Sequence, residues 1–155
     1  MSFPQYQPEC LDADRLLELK EEYGIYFTVH IDESLDPACV NAGVAQAYLD
    51  TMLKTVALAK KAGIPVLNMH LQRGVYVTLP ERRTYIYAEN QDFYLGKMRE
   101  FRDRVTEAIG SSDVMVCVEN TDGGDCFALS FLAAAADTLL ESPAFGLTLD
   151  VGHDY

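Results

Sequence analysis

Four short apolar runs in this chain end on side chains that carry chemistry. They are Phe27-Thr28-Val29-His30, Val66-Leu67-Asn68-Met69-His70, Val116-Cys117-Val118-Glu119 and Phe145-Gly146-Leu147-Thr148-Leu149-Asp150, the last followed at once by Val151-Gly152-His153. A near-continuous apolar run reads as a strand buried on both faces, and buried parallel strands present polar groups at their carboxyl ends. All three histidines of the chain sit at or just past such tips.

The strands implied by these runs are Ile25 to Ile31, Ile64 to His70, Asp113 to Glu119 and Phe145 to Asp150. Segments of helical period precede and separate them. Asp12 to Glu22 carries Leu16, Leu17 and Leu19 and stops at Gly24. Asn41 caps a helix bearing Val44, Tyr48, Met52, Val56 and Ala59 that closes at Gly63. Asn90 caps a third, with Tyr94, Met98, Phe101, Val105 and Ile109 ahead of Gly110, and Phe127 to Glu141 forms a fourth. The order αβαβαβαβ predicts an α/β fold with a parallel sheet and right-handed crossovers. Every carboxyl end then falls on one face, so His30, His70, Glu119, Asp150 and His153 are expected to converge.

Two connections stand out. Leu71 to Glu89 is long for a strand-to-helix loop and holds Arg73, Arg82, Arg83, Tyr76, Tyr85 and Tyr87; loops of that length are usually functional. The arginines read first as solvated surface charge, otherwise as holders of an anionic substrate group. Asn120 to Asp125 lacks the glycine spacing of a phosphate loop and reads as a turn.

At 155 residues and 49% hydrophobic, the chain is expected to form one globular unit, residues 1–155. No window approaches the roughly 18 apolar residues of a membrane span, and the first residues lack the pattern of a signal peptide, so a cytoplasmic protein with no membrane partner is expected. The four scattered cysteines show no C-x-x-C pair, and Cys117 reads as a small buried hydrophobe. A net charge of −12, from 24 acidic against 12 basic residues, repels a phosphate backbone and argues against nucleic acid as the ligand.

Three imidazoles and two carboxylates on one rim suit a divalent metal such as Zn, Mn or Co, with Mg if water fills the remaining positions. Glu119 and Asp150 end apolar runs where an unpaired carboxylate is costly to bury, which favours a cationic partner. Asn68, two residues before His70, shares its side of the strand and reads as a hydrogen-bonding neighbour.

His30 in TVHIDE, His70 in VLNMHL, Glu119 in VCVENT and the closing LTLDVGH resemble the strand-end motifs of the xylose isomerase-like TIM barrel superfamily, over about Glu9 to His153. That superfamily holds sugar and sugar-phosphate isomerases and epimerases and the endonuclease IV-type nucleases of apurinic sites. The resemblance implies a metal-dependent isomerase or epimerase acting next to the carbonyl of a small carbohydrate, with zinc-dependent cleavage at apurinic sites as the alternative. It implies metal ligation by Glu119 and Asp150, joined in the nuclease branch by His30, His70 and His153, which in the isomerase branch tend to contact substrate. Catalysis would rest on Glu119 and His153, and substrate contacts on His70 and His153, to which Asn68 and Arg73 are added on their own positions beside His70 and not on the resemblance. A complete barrel of this type takes about 250 residues, so the chain is expected to be a partial (β/α) barrel of about four units. The first strand or two and the last two units, with a further histidine and a second glutamate, would be lacking, and an inactive fragment is a third reading. Open barrel edges predict that the isolated chain self-associates. A sharp monomeric sizing profile with cooperative unfolding would contradict that expectation.

Overall fold

A computed structural model describes residues 1, 3–120 and 126–153, with the backbone alone for 126–129 and 153. The elements follow in the order α1 (Ala13–Tyr23), β1 (Thr28–His30), α2 (Ala42–Ala62), β2 (Val66–Met69), β3 (Tyr76–Thr78), β4 (Arg83–Tyr85), α3 (Ile86–Glu89), α4 (Gln91–Ile109), β5 (Met115–Glu119), α5 (Cys126–Leu140) and β6 (Phe145–Thr148). Short 3-10 turns lie at Pro4–Tyr6, Pro8–Cys10 and Val151–His153.

The helices start and stop where local chemistry directs. Asp12 accepts hydrogen bonds from the amides of Asp14 and Arg15 at 3.0 and 3.1 Å, and Asn41 does the same for Gly43 and Val44 at 3.0 and 3.3 Å. α1 and α2 end on Gly24 and Gly63 at φ of 62° and 63°, a left-handed turn that costs glycine nothing. Lysines from other helices then close two C-termini. Lys20 Nζ donates to the Gly63 carbonyl at 2.8 Å, and Lys60 Nζ to that of Ala108 at 2.8 Å, where the helix dipole favours a cation. Asn90 precedes α4 but does not cap it, because its amide turns back to donate to the Ile86 carbonyl at 2.9 Å.

β1, β2, β5 and β6 form one parallel sheet in that spatial order. Its register aligns Val29, Leu67, Val116 and Phe145 in one row and His30, Asn68, Cys117 and Gly146 in the next. The first row faces the helices. Leu67 and Val116 are fully buried, and the Phe145 ring lies 6.4 Å from that of Phe101 on α4. Met52, Val56 and Ala59 of α2 and Met98, Phe101 and Val105 of α4 complete this layer. The second row faces the inside of the curved sheet. Thr148 Oγ1 donates to Asn68 Oδ1 at 2.7 Å across the intervening β5, a contact that the curl of the sheet permits.

The strands are shorter than the apolar runs suggest. Ile25 and Tyr26 precede the paired part of β1 and are exposed. The long 71–89 connection is not structureless either. β3 and β4 pair as an antiparallel hairpin, with the Tyr76 and Tyr85 rings 5.6 Å apart and the Arg83 guanidinium 4.4 Å above Tyr76. Among the described residues, no helix is long and apolar enough to cross a membrane.

Met69, Val118 and Leu147 occupy one helix-facing row, yet Met69 and Val118 are 1% and 3% exposed and Leu147 is 67% exposed. The apolar layer therefore stops at β6. Leu67→Ala is predicted to cost about 2–5 kcal/mol through the cavity it leaves, whereas Leu147→Ala should stay within about 0.5 kcal/mol. Denaturant unfolding of the two variants checks this contrast.

Candidate metal centre at the strand ends

Parallel pairing brings three of the expected side chains together. His30 ends β1, His70 follows β2 and Glu119 ends β5, all on the inner face of the sheet. His70 Nε2 lies 3.2 Å from Glu119 Oε1, His30 Nε2 lies 3.4 Å from Glu119 Oε2, and the two Nε2 atoms are 3.3 Å apart. The imidazole rings meet edge to face at 4.8 Å. Glu119 is 7% exposed, against 39% for the His30 side chain and 22% for that of His70, so the carboxylate forms the floor and the imidazoles the mouth.

The tautomer of His30 decides what this cluster wants. His30 Nδ1–H donates to the carbonyl of Ile31 at 2.8 Å, and a carbonyl can only accept. In neutral His30 this leaves Nε2 as a bare lone pair, aimed at a carboxylate oxygen and at a second ring nitrogen. Three electron-rich atoms at such distances repel one another unless a proton or a cation lies among them. Two imidazole nitrogens and a carboxylate oxygen, with donor atoms all within 4.8 Å of one another, are a ligand set that zinc, manganese and cobalt accept. The residues present thus fit a divalent ion.

Asp150 stands outside this group. Its Oδ1 accepts from the Gly152 amide at 2.7 Å and so opens the 3-10 turn Val151–His153. Its main chain is gripped by Asn120, whose Oδ1 accepts from the Asp150 amide at 2.6 Å and whose Nδ2 donates to the Asp150 carbonyl at 2.9 Å. Asn120 thereby adds a side-chain rung to the β5–β6 ladder. Asn68 lies on the inner face with its carbonyl oxygen taken by Thr148, and Arg73 is exposed on the segment leaving His70. The His153 side chain and most of the expected turn at 120–125 lie outside the described residues. Asp32, two residues past His30, is turned away onto Ser34, whose hydroxyl and amide hold its carboxyl below the usual carboxylate range.

The sequence reading missed Asn120, Thr148 and a pair formed by Asp36 and Tyr87. Only Asn120 had a visible signal, an amide at a strand end beside a carboxylate-tipped neighbour.

A family model of the xylose isomerase-like TIM barrel matches residues 2–155. The chain belongs to that family. Two solved structures share its fold. A D-tagatose 3-epimerase-like protein is 17% identical with a TM-score of 0.67, over 95% of this chain and 52% of its own. An L-ribulose 3-epimerase is 17% identical with a TM-score of 0.61, over 94% of this chain and 48% of its own. This barrel chain thus spans about half the length of those two structures. Among curated proteins none matches it by sequence.

A second polar pair joins the loop after β1 to α3. Tyr87 OH donates to Asp36 Oδ2 at 2.6 Å, and burial pushes the Asp36 carboxyl above its ordinary range despite that bond. A raised carboxyl favours the protonated form in the folded state, so its contribution is complete below the unfolded pKa and is lost as pH rises through the folded one. The stability of Asp36→Asn relative to wild type should therefore improve from about pH 3 to about pH 7. Denaturant midpoints measured across that range test the sign.

Proposed function

We propose that this chain carries the metal-binding strand ends of an isomerase or epimerase that moves a proton next to the carbonyl of a sugar or sugar phosphate. The observation that carries the reading is the convergence of His30 Nε2, His70 Nε2 and the Glu119 carboxylate on one point. The family and the names of the two fold neighbours, both sugar epimerases or epimerase-like, support the carbohydrate part.

In this reading His30, His70 and Glu119 hold a divalent ion, with Asp150 a further ligand once its carboxylate turns from Gly152. Bound there, the ion would polarise a carbonyl oxygen and its neighbouring hydroxyl and so acidify the intervening C–H. Glu119 is the residue on hand to take up that proton, and its burial keeps competing water away. His70 and His153 orient the substrate oxygens and stabilise charge developing on them. Asn68 offers its amide on the inner face beneath them. Arg73, exposed three residues past His70 in the chain, suits a phosphate or another anionic end. The barrel units expected to complete the family fold would supply the second base.

To test the reading, the protein is loaded with Mn, Co or Mg and offered ketoses and their phosphates. Turnover of at least one is expected, and Glu119→Gln should lower it by about 10²–10⁴-fold. A Glu119→Gln variant as active as wild type overturns the proposal.

One observation favours a second reading. His30 Nε2 and His70 Nε2 converge beside the Glu119 carboxylate, and by resemblance these histidines ligate metal in nucleases of apurinic sites. The net charge of −12 opposes it. Nicking of an abasic duplex by the zinc-loaded chain, with binding that weakens steeply in salt, would establish it over the first.

A further inference from the structure

Tyr87 lies outside the metal centre, yet the two segments that carry its imidazoles both meet this residue. It is 2% exposed on α3, at the end of the hairpin connection. Its hydroxyl reaches the loop that leaves His30, donating to Asp36 Oδ2 at 2.6 Å, while Asp36 Oδ1 accepts from the Ala38 amide at 3.1 Å. Its ring bears on the segment that leaves His70. Gly74 lies so close that a Cβ there would stand 2.4 to 2.5 Å from three atoms of the Tyr87 ring, and Gly74 adopts a φ of 75°. The ring itself cannot retreat, because it stacks on Tyr94 at 4.0 Å and meets Phe131 edge-on at 5.5 Å.

Two further bonds run the same way. Gln72 Nε2 donates to the Glu33 carbonyl at 2.5 Å, tying the two segments directly, and the Ile86 amide donates to the Val75 carbonyl at 3.0 Å. Packing alone would be served by phenylalanine at this position, with no carboxylate to desolvate beneath it. A buried hydroxyl on a largely buried carboxylate instead specifies one arrangement of the two segments.

We propose that Tyr87 is a positioning residue for the His30, His70 and Glu119 centre. Its hydroxyl sets the His30 segment through Asp36, and its ring sets the His70 segment through Gly74. The inference rests on the metal reading for its consequence but not for its geometry, and the test separates the two.

Tyr87→Phe keeps the ring and removes the hydroxyl. Co²⁺ affinity is measured by titration, and the ring resonances of the three histidines are recorded by ¹H–¹⁵N correlation in the metal-free chain at one fixed pH. Ser142→Ala serves as the control for stability alone. It removes a hydroxyl that bonds Thr106 Oγ1 at 2.7 Å and the Ala144 amide at 3.2 Å, at the opposite end of β6 from the centre. Tyr87→Phe is expected to weaken Co²⁺ binding by about tenfold, as loss of a supporting partner does, and to shift the His30 and His70 ring resonances. Gly74→Ala, whose Cβ would drive the His70 segment off that fixed ring, should do likewise, and Ser142→Ala should do neither. Unchanged affinity and unchanged resonances in both Tyr87→Phe and Gly74→Ala overturn the proposal. If the wild-type chain takes up no Co²⁺, the metal reading falls and the resonances alone decide the role of Tyr87.

Discussion

The Glu119 carboxylate is the group around which this half of a barrel is arranged. It sits almost wholly out of solvent at the end of a strand lined by apolar neighbours, a placement that is costly without compensating partners. Two imidazoles from two other strands provide them. Their positions follow from the packing on the far side of the sheet. Leu67, Val116 and Phe145 interlock with the helices in one row, and that register puts His30, His70 and Glu119 on the opposite face. A slip of β5 by a single residue would turn Glu119 into the helix layer and bring an apolar side chain to the centre. Core and site are thus held by one constraint.

That coupling explains what could be read in advance. Helix caps and the 3.6-residue period are local signals, so Asp12, Asn41, Gly24 and Gly63 mark their helices correctly. The convergence of His30, His70 and Glu119 was legible because parallel strands joined by helices leave no freedom about which ends meet. The misses are non-local or compete with a local rule. β3 and β4 are three residues each, β3 exposed throughout and β4 buried only at Tyr85, too short for an alternating pattern to rise above the tyrosines and arginines around them. Tyr87 looks like any aromatic in that stretch until Gly74 and Asp36 close on it from distant parts of the sequence. At Asp150, the short side chain takes the nearby Gly152 amide, the habit that makes Asp a turn former.

Charge acts at two ranges. Far from the centre, an excess of 12 negative charges raises the local concentration of cations and lowers that of anions. Close in, one carboxylate and two imidazoles that are neutral in the ligating state leave a net attraction for a divalent ion. The arginines of the 71–89 connection are the local exception, grouped on one segment beyond His70. The overall field therefore draws cations rather than anions toward this chain.

The two edges of the sheet differ, and the difference bears on the centre. The Ile31 amide donates to the Asn68 carbonyl, so the main-chain groups of His30 itself point away from β2, toward the outer edge of β1. There the amino group of Met1 donates to the His30 carbonyl, and Gln7 in turn donates to the carbonyl of Met1 at 2.7 Å. That edge is covered. At β6 the alternation directs the main-chain groups of Leu147 outward, and the Leu147 and Leu149 side chains are exposed. His30 and His70 lie toward the covered edge, Glu119 ends the strand beside β6, and Asp150 lies on the chain leaving β6 itself. In a family barrel the next strand would stand beside β6, against the exposed Leu147. Asp150, which stands outside the three converged donors, sits on the chain leaving β6 with its carboxylate engaged by the Gly152 amide.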